Sequence, residues 1–399
     1  MYWTISTFFI SGLIQLFFIF FASRYIEFSD FGTFSLFLSL TVFINYLLLQ
    51  PAYSSFDRFY NVGLKQKNFL EKFNGLLIFI LLISFLFVLF VYLFSNLFDF
   101  SIYFYLFIFL ALSTTYSVFA KTSLMNLDRP AFFYVRLSEA FARFIFPILT
   151  FLIIQNFQGL ILGLCLGFII SNFIGYIFNK NFYPFSFKFD VKLYKDMFLF
   201  SYPVIFLGFS SWALSWSNRF FIDVFFDLES VGLFSLLATS SGLIIFLSQI
   251  FTTYVNPKAF KMWETNKSET NNFLLKSYKI YFLISFLIVF FIGIFSDLIV
   301  FELLGISENS FPNASNIFLL LLIASLLASF SVIFSLVFAL EKKMMTFFKI
   351  NLLGSLVNFF GNFFIGYFGL IFAATSYLIA YFLIVILILI FLILRKVPD

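Results

Sequence analysis

Long apolar runs follow one another along the whole chain, separated by short polar gaps. Each run has about 20 residues, the length that an α-helix needs to cross the hydrocarbon core of a bilayer. The pattern predicts an all-α polytopic membrane protein with twelve membrane-spanning helices. The expected spans are 2–23, 33–56, 73–95, 101–120, 133–154, 158–178, 198–222, 231–256, 279–300, 315–340, 350–367 and 369–394.

Lysine and arginine lie almost entirely in alternate gaps between these runs. Of the 24 basic residues, 21 fall in the gaps at 58–72, 121–136, 180–195, 258–279, 342–349 and 395–396. Because cytoplasmic loops of membrane proteins retain Lys and Arg, we expect these gaps and both termini to lie in the cytoplasm. Arg24, Arg143 and Arg219 fall outside the pattern, which makes them candidates for function.

The composition excludes several kinds of site. The chain is 62% hydrophobic and 11% charged, and it contains no histidine and one cysteine, Cys165. Histidine catalysis, histidine metal sites and an internal disulfide are therefore excluded, and we expect no cofactor or metal. No phosphate-binding GxxxxGK[ST] motif is present. The net charge of +5 lies in gaps expected to face anionic lipid headgroups, so it does not indicate nucleic acid.

A short repeat suggests two halves. Residues 32–36 (GTFSL) recur as 232–236 (GLFSL), each at the start of the second span of its half. The gap from Asn179 to Met197, which contains Pro184, is the expected linker. We therefore predict a six-helix half with its linker at 1–197 and a second six-helix half at 198–399. An even number of spans gives both halves one orientation, a parallel pseudo-repeat found in transporters.

Arg136, Glu139 and Arg143 form a charged group inside one predicted span. At 100° per residue they fall within about 60° of one another, with Arg143 about 15 Å into the membrane. A charge there must face a partner or a water-filled cavity. The three residues are either a structural ion pair that locks this helix to a neighbour or a cation site facing a substrate. Pro147 removes the hydrogen bond to the Arg143 carbonyl and is expected to kink the helix there.

Other polar residues inside or near the spans allow two interpretations each. Asp57 and Arg58, which follow Gln50 and Pro51, are either a plain helix terminus or a gate or site. Arg219, beside Trp216, is either an interfacial anchor that reaches water or a functional cation able to pair with Asp223.

Two spans have uncharged polar groups along one helix face, which are either interhelical contacts or the lining of a hydrophilic lumen. These groups are Asn351, Ser355, Asn358 and Asn362 on one span, and Ser235, Thr239, Gln249 and Thr253 on another. Gly159, Gly163, Gly167, Ser171 and Gly175 form a small-residue ridge, which we expect to pack against another helix.

Three segments resemble those of bacterial polysaccharide flippases of the O-antigen (Wzx) type, within the multidrug/oligosaccharidyl-lipid/polysaccharide exporter superfamily. They are residues 23–32 (SRYIEFSDFG), the end of the second span at 50–60, and 218–223 (NRFFID) with 231–235. The resemblance implies a transporter, not an enzyme, in the bacterial inner membrane. Such proteins move an undecaprenyl-pyrophosphate-linked oligosaccharide, such as an O-antigen repeat unit, from the cytoplasmic to the outer leaflet by alternating access. Membrane lipids, a coupling proton or sodium ion and polysaccharide polymerase machinery are the further partners that it suggests.

We therefore assign expected roles. Arg143 and Arg136 attract the diphosphate, because arginine matches phosphate through bidentate hydrogen bonds. Glu139 pairs with them when the site is empty, and Arg58 recruits the head group. Asp57 and Gln50 also belong to the expected substrate site, and Asn358, Asn362 and Gln249 meet sugar. Glu139, Asp57 or Asp223 carries the coupling proton or cation. Arg24, Arg219 and Asp223 close an outer gate.

Two other classes of function remain open. A drug or small-solute cation-coupled antiporter of the same superfamily shares the architecture, but it should need fewer arginines in its lumen. A membrane glycan polymerase or glycosyltransferase needs a catalytic acid in a sizeable outer loop. Asp297, Glu302 and Glu308 are its only candidates, in a loop of about 18 residues.

Overall fold

The structure is a computed structural model that describes residues 2–63, 68–94, 98–126, 128–180, 186–263, 265–311 and 313–394, with the backbone alone at 2–5 and 61–63. Several residues that entered the sequence predictions lie outside the described residues: Lys65, Lys67, Pro184, Arg395 and Lys396.

The described residues form helices joined by short connections, without strands. In chain order the elements are α1 (Tyr2–Tyr25), α2 (Phe28–Ile44), π1 (Asn45–Leu49), α3 (Gln50–Gly63), α4 (Phe69–Phe94), α5 (Phe100–Met125), α6 (Arg129–Ala140), π2 (Phe141–Ile145), α7 (Phe146–Ile154), α8 (Phe157–Asn179), α9 (Val191–Ser215), α10 (Asn218–Phe225), α11 (Leu228–Ser241), α12 (Leu243–Trp263), α13 (Lys267–Ile294), π3 (Leu298–Leu303), α14 (Ala314–Leu340), α15 (Met344–Asn362), α16 (Ile365–Phe368) and α17 (Ile371–Leu394).

Twelve helical segments of the described chain are long and apolar enough to cross a membrane. The predicted all-α class and number of spans are therefore confirmed, and the chain is a multi-pass membrane protein. Some boundaries differ from the prediction. The seventh span covers Val191–Ser215 instead of 198–222, because the helix ends before Trp216 and Ser217 and a separate short helix, α10, carries the following apolar residues.

The chain forms two compact units. Unit 1 contains residues 1–18 and 36–212, and unit 2 contains residues 19–35 and 213–399. The predicted boundary at residues 197 and 198 lies inside α9, and the organisation into two pseudo-repeated halves stays a prediction.

Two π-helical turns interrupt the spans of unit 1 at the same distance before a proline. π1 ends at Leu49, two residues before Pro51, and π2 ends at Ile145, two residues before Pro147. Proline cannot donate the backbone hydrogen bond of a helix, so the ladder is weakened there and a wider turn is tolerated. At the place of the kink predicted near Arg143, the helix has a π-helical turn that contains this residue, and the kink itself stays a prediction.

The glycine ridge of α8 packs closely against π2 and α7. A Cβ atom added at Gly163 or at Gly167 would lie 2.5 Å from the Cα atom of Pro147 or of Ala142, respectively. Ser171 continues the ridge and donates a hydrogen bond to the Ser138 carbonyl at 2.9 Å. The predicted packing role of the ridge is confirmed, and it fixes the helix that carries Arg143.

The two copies of the short repeat pack against each other in unit 2. A Cβ atom at Gly32 would lie 2.0 Å from the Leu228 carbonyl oxygen, and one at Gly232 would lie 1.8 Å from that of Phe28. Three residues after each glycine, the Ser35 hydroxyl donates to the Ser235 hydroxyl at 2.7 Å. The repeat therefore marks a helix crossing at which only glycine fits.

Candidate functional site: a cationic cavity in unit 1

A polar cavity of about 420 Å³ lies within unit 1. Its walls come from α2, π1 and α3 on one side and from α5, α6 and π2 on the other. Both π-helical turns of this unit, each of which ends two residues before a proline, contribute side chains to the wall. The polar and charged side chains in its lining are Thr41, Asn45, Tyr46, Gln50, Tyr53, Ser113, Tyr116, Ser117, Lys121, Arg136, Glu139 and Arg143.

Glu139 joins the two arginines of the cavity. Arg136 Nη1 lies 2.5 Å from Glu139 Oε2, while Nε and Nη2 of Arg143 each lie 2.9 Å from Oε1. The Glu139 side chain is only 14% exposed, whereas those of Arg136 and Arg143 are 44% and 45% exposed. The pairing expected from the helical spacing is confirmed. The carboxylate lies in the wall, and both guanidinium groups remain accessible from the cavity.

Two kinds of neighbouring ring hold this group in place. The Tyr116 hydroxyl, almost fully buried, lies 2.9 Å from Glu139 Oε2 and 3.1 Å from the Val135 carbonyl. The Arg143 guanidinium lies 5.5 Å from the centre of the Phe168 ring, within cation–π range. Sequence reasoning missed Tyr116, since one tyrosine among 20 carries no signal of its own.

Lys121 is a third cation of the cavity that the sequence analysis treated only as a topology signal. Its Nζ atom lies 2.5 Å from Asp57 Oδ2, so Asp57 is joined to the cavity through Lys121. The Tyr53 hydroxyl is buried in the same wall near Thr114 and Ser117, and makes no hydrogen bond of normal geometry with the described residues. Lys121 thus gives Asp57 a partner that the helix-terminus interpretation did not include.

The three cations of the cavity and the two carboxylates paired with them leave one net positive charge. Lys121 is balanced by Asp57, but Arg136 and Arg143 share the single carboxylate of Glu139. Two accessible guanidinium groups beside amide and phenol groups can bind an anion that also carries hydroxyl groups. The described residues contain no group of three or more Asp, Glu, Cys or His side chains that could hold a metal ion.

The structure brings together only part of the predicted substrate site. Gln50 lies in the cavity wall with the two arginines and Glu139. Arg58 is exposed on α3 outside this lining, and Gln249 is exposed on α12 in unit 2.

The two asparagines of α15 lie in the interior of unit 2. Asn358 and Asn362 are fully buried, and the Asn358 amide donates to the Ala213 and Leu214 carbonyls and, at 2.8 Å, to Asn218 Oδ1. The Asn362 amide donates to the Ser217 hydroxyl at 3.2 Å and to Asn218 Oδ1 at 3.1 Å. Of the two interpretations left open by the sequence, these bonds favour interhelical contacts for both amides.

The predicted gate residues Arg24, Arg219 and Asp223 have different surroundings in unit 2. The exposed Arg24 side chain donates to the Glu302 and Leu303 carbonyls of π3. Arg219 is only 5% exposed, which opposes the interfacial anchor that reaches water, one of the two interpretations left open by the sequence.

The possible pairing of Arg219 with Asp223 is absent from the ion pairs of the described residues. Instead, Arg219 Nε donates to the hydroxyls of Ser35 at 2.7 Å and Ser235 at 3.1 Å, and Nη1 donates to the Ser215 carbonyl. The glycine crossing brings these hydroxyls to Arg219, which turns it away from the carboxylate one turn later.

Known proteins share this fold without close sequence similarity. The chain is similar to the lipid II flippase MurJ in an inward closed conformation, with a TM-score of 0.75, 15% identity, and coverage of 97% of this chain and 86% of that one. It is also similar to an inward-facing multidrug resistance MATE family transporter of the MOP superfamily, with a TM-score of 0.67, 14% identity, and coverage of 96% and 93%. An outward-facing multidrug resistance MATE family transporter of the MOP superfamily is similar as well, with a TM-score of 0.64, 14% identity, and coverage of 97% of this chain and 91% of that one. No protein-family model matches the chain, and no curated protein matches it in sequence.

Proposed function

We propose that this protein is a flippase that moves an undecaprenyl-pyrophosphate-linked oligosaccharide from the cytoplasmic to the outer leaflet of a bacterial inner membrane. The observation that carries the proposal is the cavity of unit 1, in which two accessible arginines share one carboxylate. A solved flippase for a lipid-linked substrate has the same fold, which is compatible with this activity.

The chemistry of the cavity fits a diphosphate. A diphosphate carries several negative charges, and a guanidinium group offers two parallel N–H donors to phosphate oxygens. In this structure, Glu139 occupies donors of both Arg136 and Arg143. The arriving diphosphate replaces this carboxylate as their partner, and the two arginines then bind the most strongly hydrated part of the substrate, which hydrocarbon excludes.

The remaining polar groups fit the sugar. Asn45 and Gln50 offer amide donors and acceptors in the same wall, and Tyr46 and Tyr53 add phenol groups. Sugars are recognised through such groups. In this proposal the buried amides of Asn358 and Asn362 serve packing, Arg58 recruits the head group, and Arg24 and Asp223 act at an outer gate. Arg219, which the sequence also assigned to the gate, is buried among serine hydroxyls and instead stabilises unit 2. A proton or sodium ion drives alternating access.

The competing function is a cation-coupled drug antiporter, favoured by the MATE transporters that share the fold. An antiporter for organic cations would require an acidic or apolar cavity. The excess of positive charge at Arg136 and Arg143 opposes that and favours an anionic substrate.

The test is the distribution of lipid-linked oligosaccharide in cells that lack the protein, complemented at matched expression. We expect undecaprenyl-linked repeat units to accumulate on the cytoplasmic face and wild type to clear them. Arg143→Ala should slow clearance about tenfold or more, since charge-assisted hydrogen bonds contribute about 1.5–3 kcal/mol, and Arg143→Lys should restore it in part. Arg129→Ala is the matched control, because Arg129 is exposed at the start of the same span and outside the cavity lining.

Two results would contradict parts of this proposal. If cells without the protein accumulate no lipid-linked oligosaccharide, the flippase function is wrong and drug efflux should be measured next. If Arg143→Ala clears the lipid as fast as Arg129→Ala, the function stands but Arg143 is a structural charge.

A further inference from the structure

The cationic cavity contains a second charged pair besides the two arginines and Glu139. Lys121 on α5 lines the cavity, and its Nζ atom lies 2.5 Å from Oδ2 of Asp57 on α3. The Lys121 and Asp57 side chains are 25% and 38% exposed, respectively. Lys121 is therefore a cation of the lining whose present partner lies outside the lining.

Asp57 holds Lys121 less firmly than Glu139 holds the arginines. Asp57 Oδ1 is buried and makes no hydrogen bond with the described residues, so this carboxylate is held through Oδ2 alone. Glu139 uses both of its oxygens and is only 14% exposed. Because Asp57 is more exposed, water can hydrate its carboxylate when Lys121 turns away. An anion in the cavity can therefore open the Lys121–Asp57 pair more easily.

Lys121 and Arg136 lie at similar depths in the cavity. α6 begins four residues after α5 ends, so the end of α5 and the start of α6 lie on one side of unit 1. Lys121 is about 6 Å before that end of α5, and Arg136 is about 10 Å after that start of α6. Tyr116 and Glu139, which are hydrogen-bonded, lie about 14 and 15 Å from the same two points, so the helices are in register. An anion held by Arg136 is thus close to the level of Lys121.

The two arginines are bridged by a single carboxylate, which matches one phosphate. A phosphate that replaces Glu139 takes over donors of both Arg136 and Arg143. The second phosphate of a diphosphate then needs its own partners, because an unpaired charge inside the membrane is costly. Among the described residues of the lining, Lys121 is the remaining cation.

Tyr53 adds a hydroxyl group beside Lys121. Its ring centre lies 5.9 Å from Lys121 Nζ, and the residue is only 3% exposed although it lines the cavity. The hydroxyl makes no hydrogen bond of normal geometry with the described residues. A buried hydroxyl group gains from a partner, and a phosphate oxygen can accept its hydrogen bond.

We propose that Lys121 and Tyr53 form a second anion subsite, which binds one phosphate of a diphosphate while Arg136 and Arg143 bind the other. Asp57 is the counter-ion that Lys121 leaves. Lysine suits this role, since its point charge on a flexible stem can move from Asp57 to the arriving phosphate. The cavity therefore distinguishes a diphosphate from a monophosphate. This inference rests on the proposed function and assigns each phosphate its own partners.

The test is isothermal titration calorimetry of the purified full-length protein in a non-ionic detergent with farnesyl diphosphate or farnesyl monophosphate. We expect wild type to bind the diphosphate more tightly. Lys121→Gln should weaken diphosphate binding about tenfold, as for loss of a hydrogen bond to a charged group, and leave monophosphate binding nearly unchanged. Lys121→Arg should restore most of the affinity. Lys192→Gln is the matched control, since Lys192 is exposed on α9, outside the lining and without an ion pair among the described residues.

Asp57→Asn separates this role from a purely structural ion pair. Without its counter-ion Lys121 is free for the phosphate, so diphosphate binding should become about threefold tighter, as expected when a partly exposed competing ion pair is lost. Monophosphate binding should not change. A structural pair predicts instead that Asp57→Asn and Lys121→Gln both lower the unfolding temperature and that neither strengthens binding.

The inference is overturned if wild type binds both probes equally well, if Lys121→Gln weakens both to the same extent, or if Asp57→Asn fails to strengthen diphosphate binding. The proposed function fails in a different way. In that case wild type binds neither probe, or Arg143→Ala binds both as tightly as wild type, and the second subsite falls with it.

Discussion

Arg143 in unit 1 and Arg219 in unit 2 carry the same charge inside a membrane protein, but they have different surroundings. Arg143 is about half exposed, lies in a cavity wall and shares the Glu139 carboxylate with Arg136. Arg219 is almost fully buried and is held by the hydroxyls of Ser35 and Ser235 and by a backbone carbonyl.

The difference separates a charge that can change partners from one that cannot. A diphosphate can replace Glu139 as the partner of Arg143, because both are anions and the guanidinium is accessible. Arg219 has neutral partners that are themselves fixed by the glycine crossing of α2 and α11. We infer that Arg143 contributes chiefly to transport and Arg219 chiefly to the stability of unit 2.

The largest expected effect comes from closing the glycine crossing that positions the partners of Arg219. In Gly232→Ala the new methyl group would meet the Phe28 carbonyl oxygen at 1.8 Å, and a backbone oxygen cannot move as a flexible side chain can. We expect a loss of about 3 kcal/mol in stability, at the upper end for overpacking. Thermal unfolding of the purified protein in detergent measures it.

Gly12→Ala is the control for that substitution. Gly12 also lies within a membrane-spanning helix, and apart from its chain neighbours and that helix's own backbone no atom of the described residues lies within 4 Å of a Cβ added there. Alanine should therefore be neutral or stabilising by up to about 1 kcal/mol, as in other helix interiors. Equal effects of the two variants would show that α2 and α11 do not approach as closely as described.

Replacement of each arginine by lysine tests the comparison directly. Arg219→Lys keeps the charge but loses the Nε donor that both serines accept and the Nη1 donor of the Ser215 carbonyl. Ser35 and Ser235 then keep only the hydrogen bond that joins them. We expect a loss of about 2 kcal/mol in the free energy of unfolding. Arg143→Lys should cost less than about 1 kcal/mol, because the ion pair is half exposed and lysine can still reach a carboxylate.

Transport assays at matched membrane abundance complete this test. Arg143→Lys should lower transport while leaving unfolding nearly unchanged, and Arg219→Lys should lower stability. If Arg219→Lys leaves the unfolding temperature unchanged and stops transport, Arg219 belongs to the transport machinery and the distinction between the two arginines is wrong.

The sequence predicts the charged group at Arg143 well, because all three residues lie on one helix. Helical spacing alone brings Arg136, Glu139 and Arg143 to one face. The number of spans follows from hydropathy, and the glycine ridge of α8 from its spacing of four residues. These are local properties of single helices.

The contacts between distant segments are not predictable in this way. Lys121 with Asp57 and Tyr116 with Glu139 join residues on different helices, and neither spacing nor composition indicates them. Arg219 shows the same limit. Its spacing predicts Asp223 as a partner, but tertiary packing supplies serines that are 184 and 16 residues away.

A third place with paired charges joins the first turn of α4 to the residue before α9, and it should show the smallest effect. Lys72 Nζ lies 2.6 Å from Asp190 Oδ2, just before α9 begins. The hydrogen bond from Lys72 lowers the pKa of the Asp190 carboxyl below its usual value, aided by the backbone N–H of Leu193. Because both side chains are about a quarter exposed, solvent screens this pair and it should contribute less than about 1 kcal/mol.

The sign of its pH dependence follows from that lowered pKa. A carboxyl whose pKa falls on folding stabilises the protein above its unfolded pKa of about 3.9 and loses that contribution as the pH falls through the folded pKa. Asp190→Asn keeps an N-cap residue for α9 and removes only the charge. At pH 7 the wild-type protein should therefore have a slightly higher unfolding temperature than the variant. This difference should shrink below pH ~4 and in high salt. Asp196→Asn is the control, since Asp196 is exposed on the same helix and has no ion pair among the described residues. If Asp190→Asn lowers the unfolding temperature as much as Arg219→Lys does, exposure to water does not determine how much these charges stabilise the protein. The contrast between Arg143 and Arg219 would then need another cause.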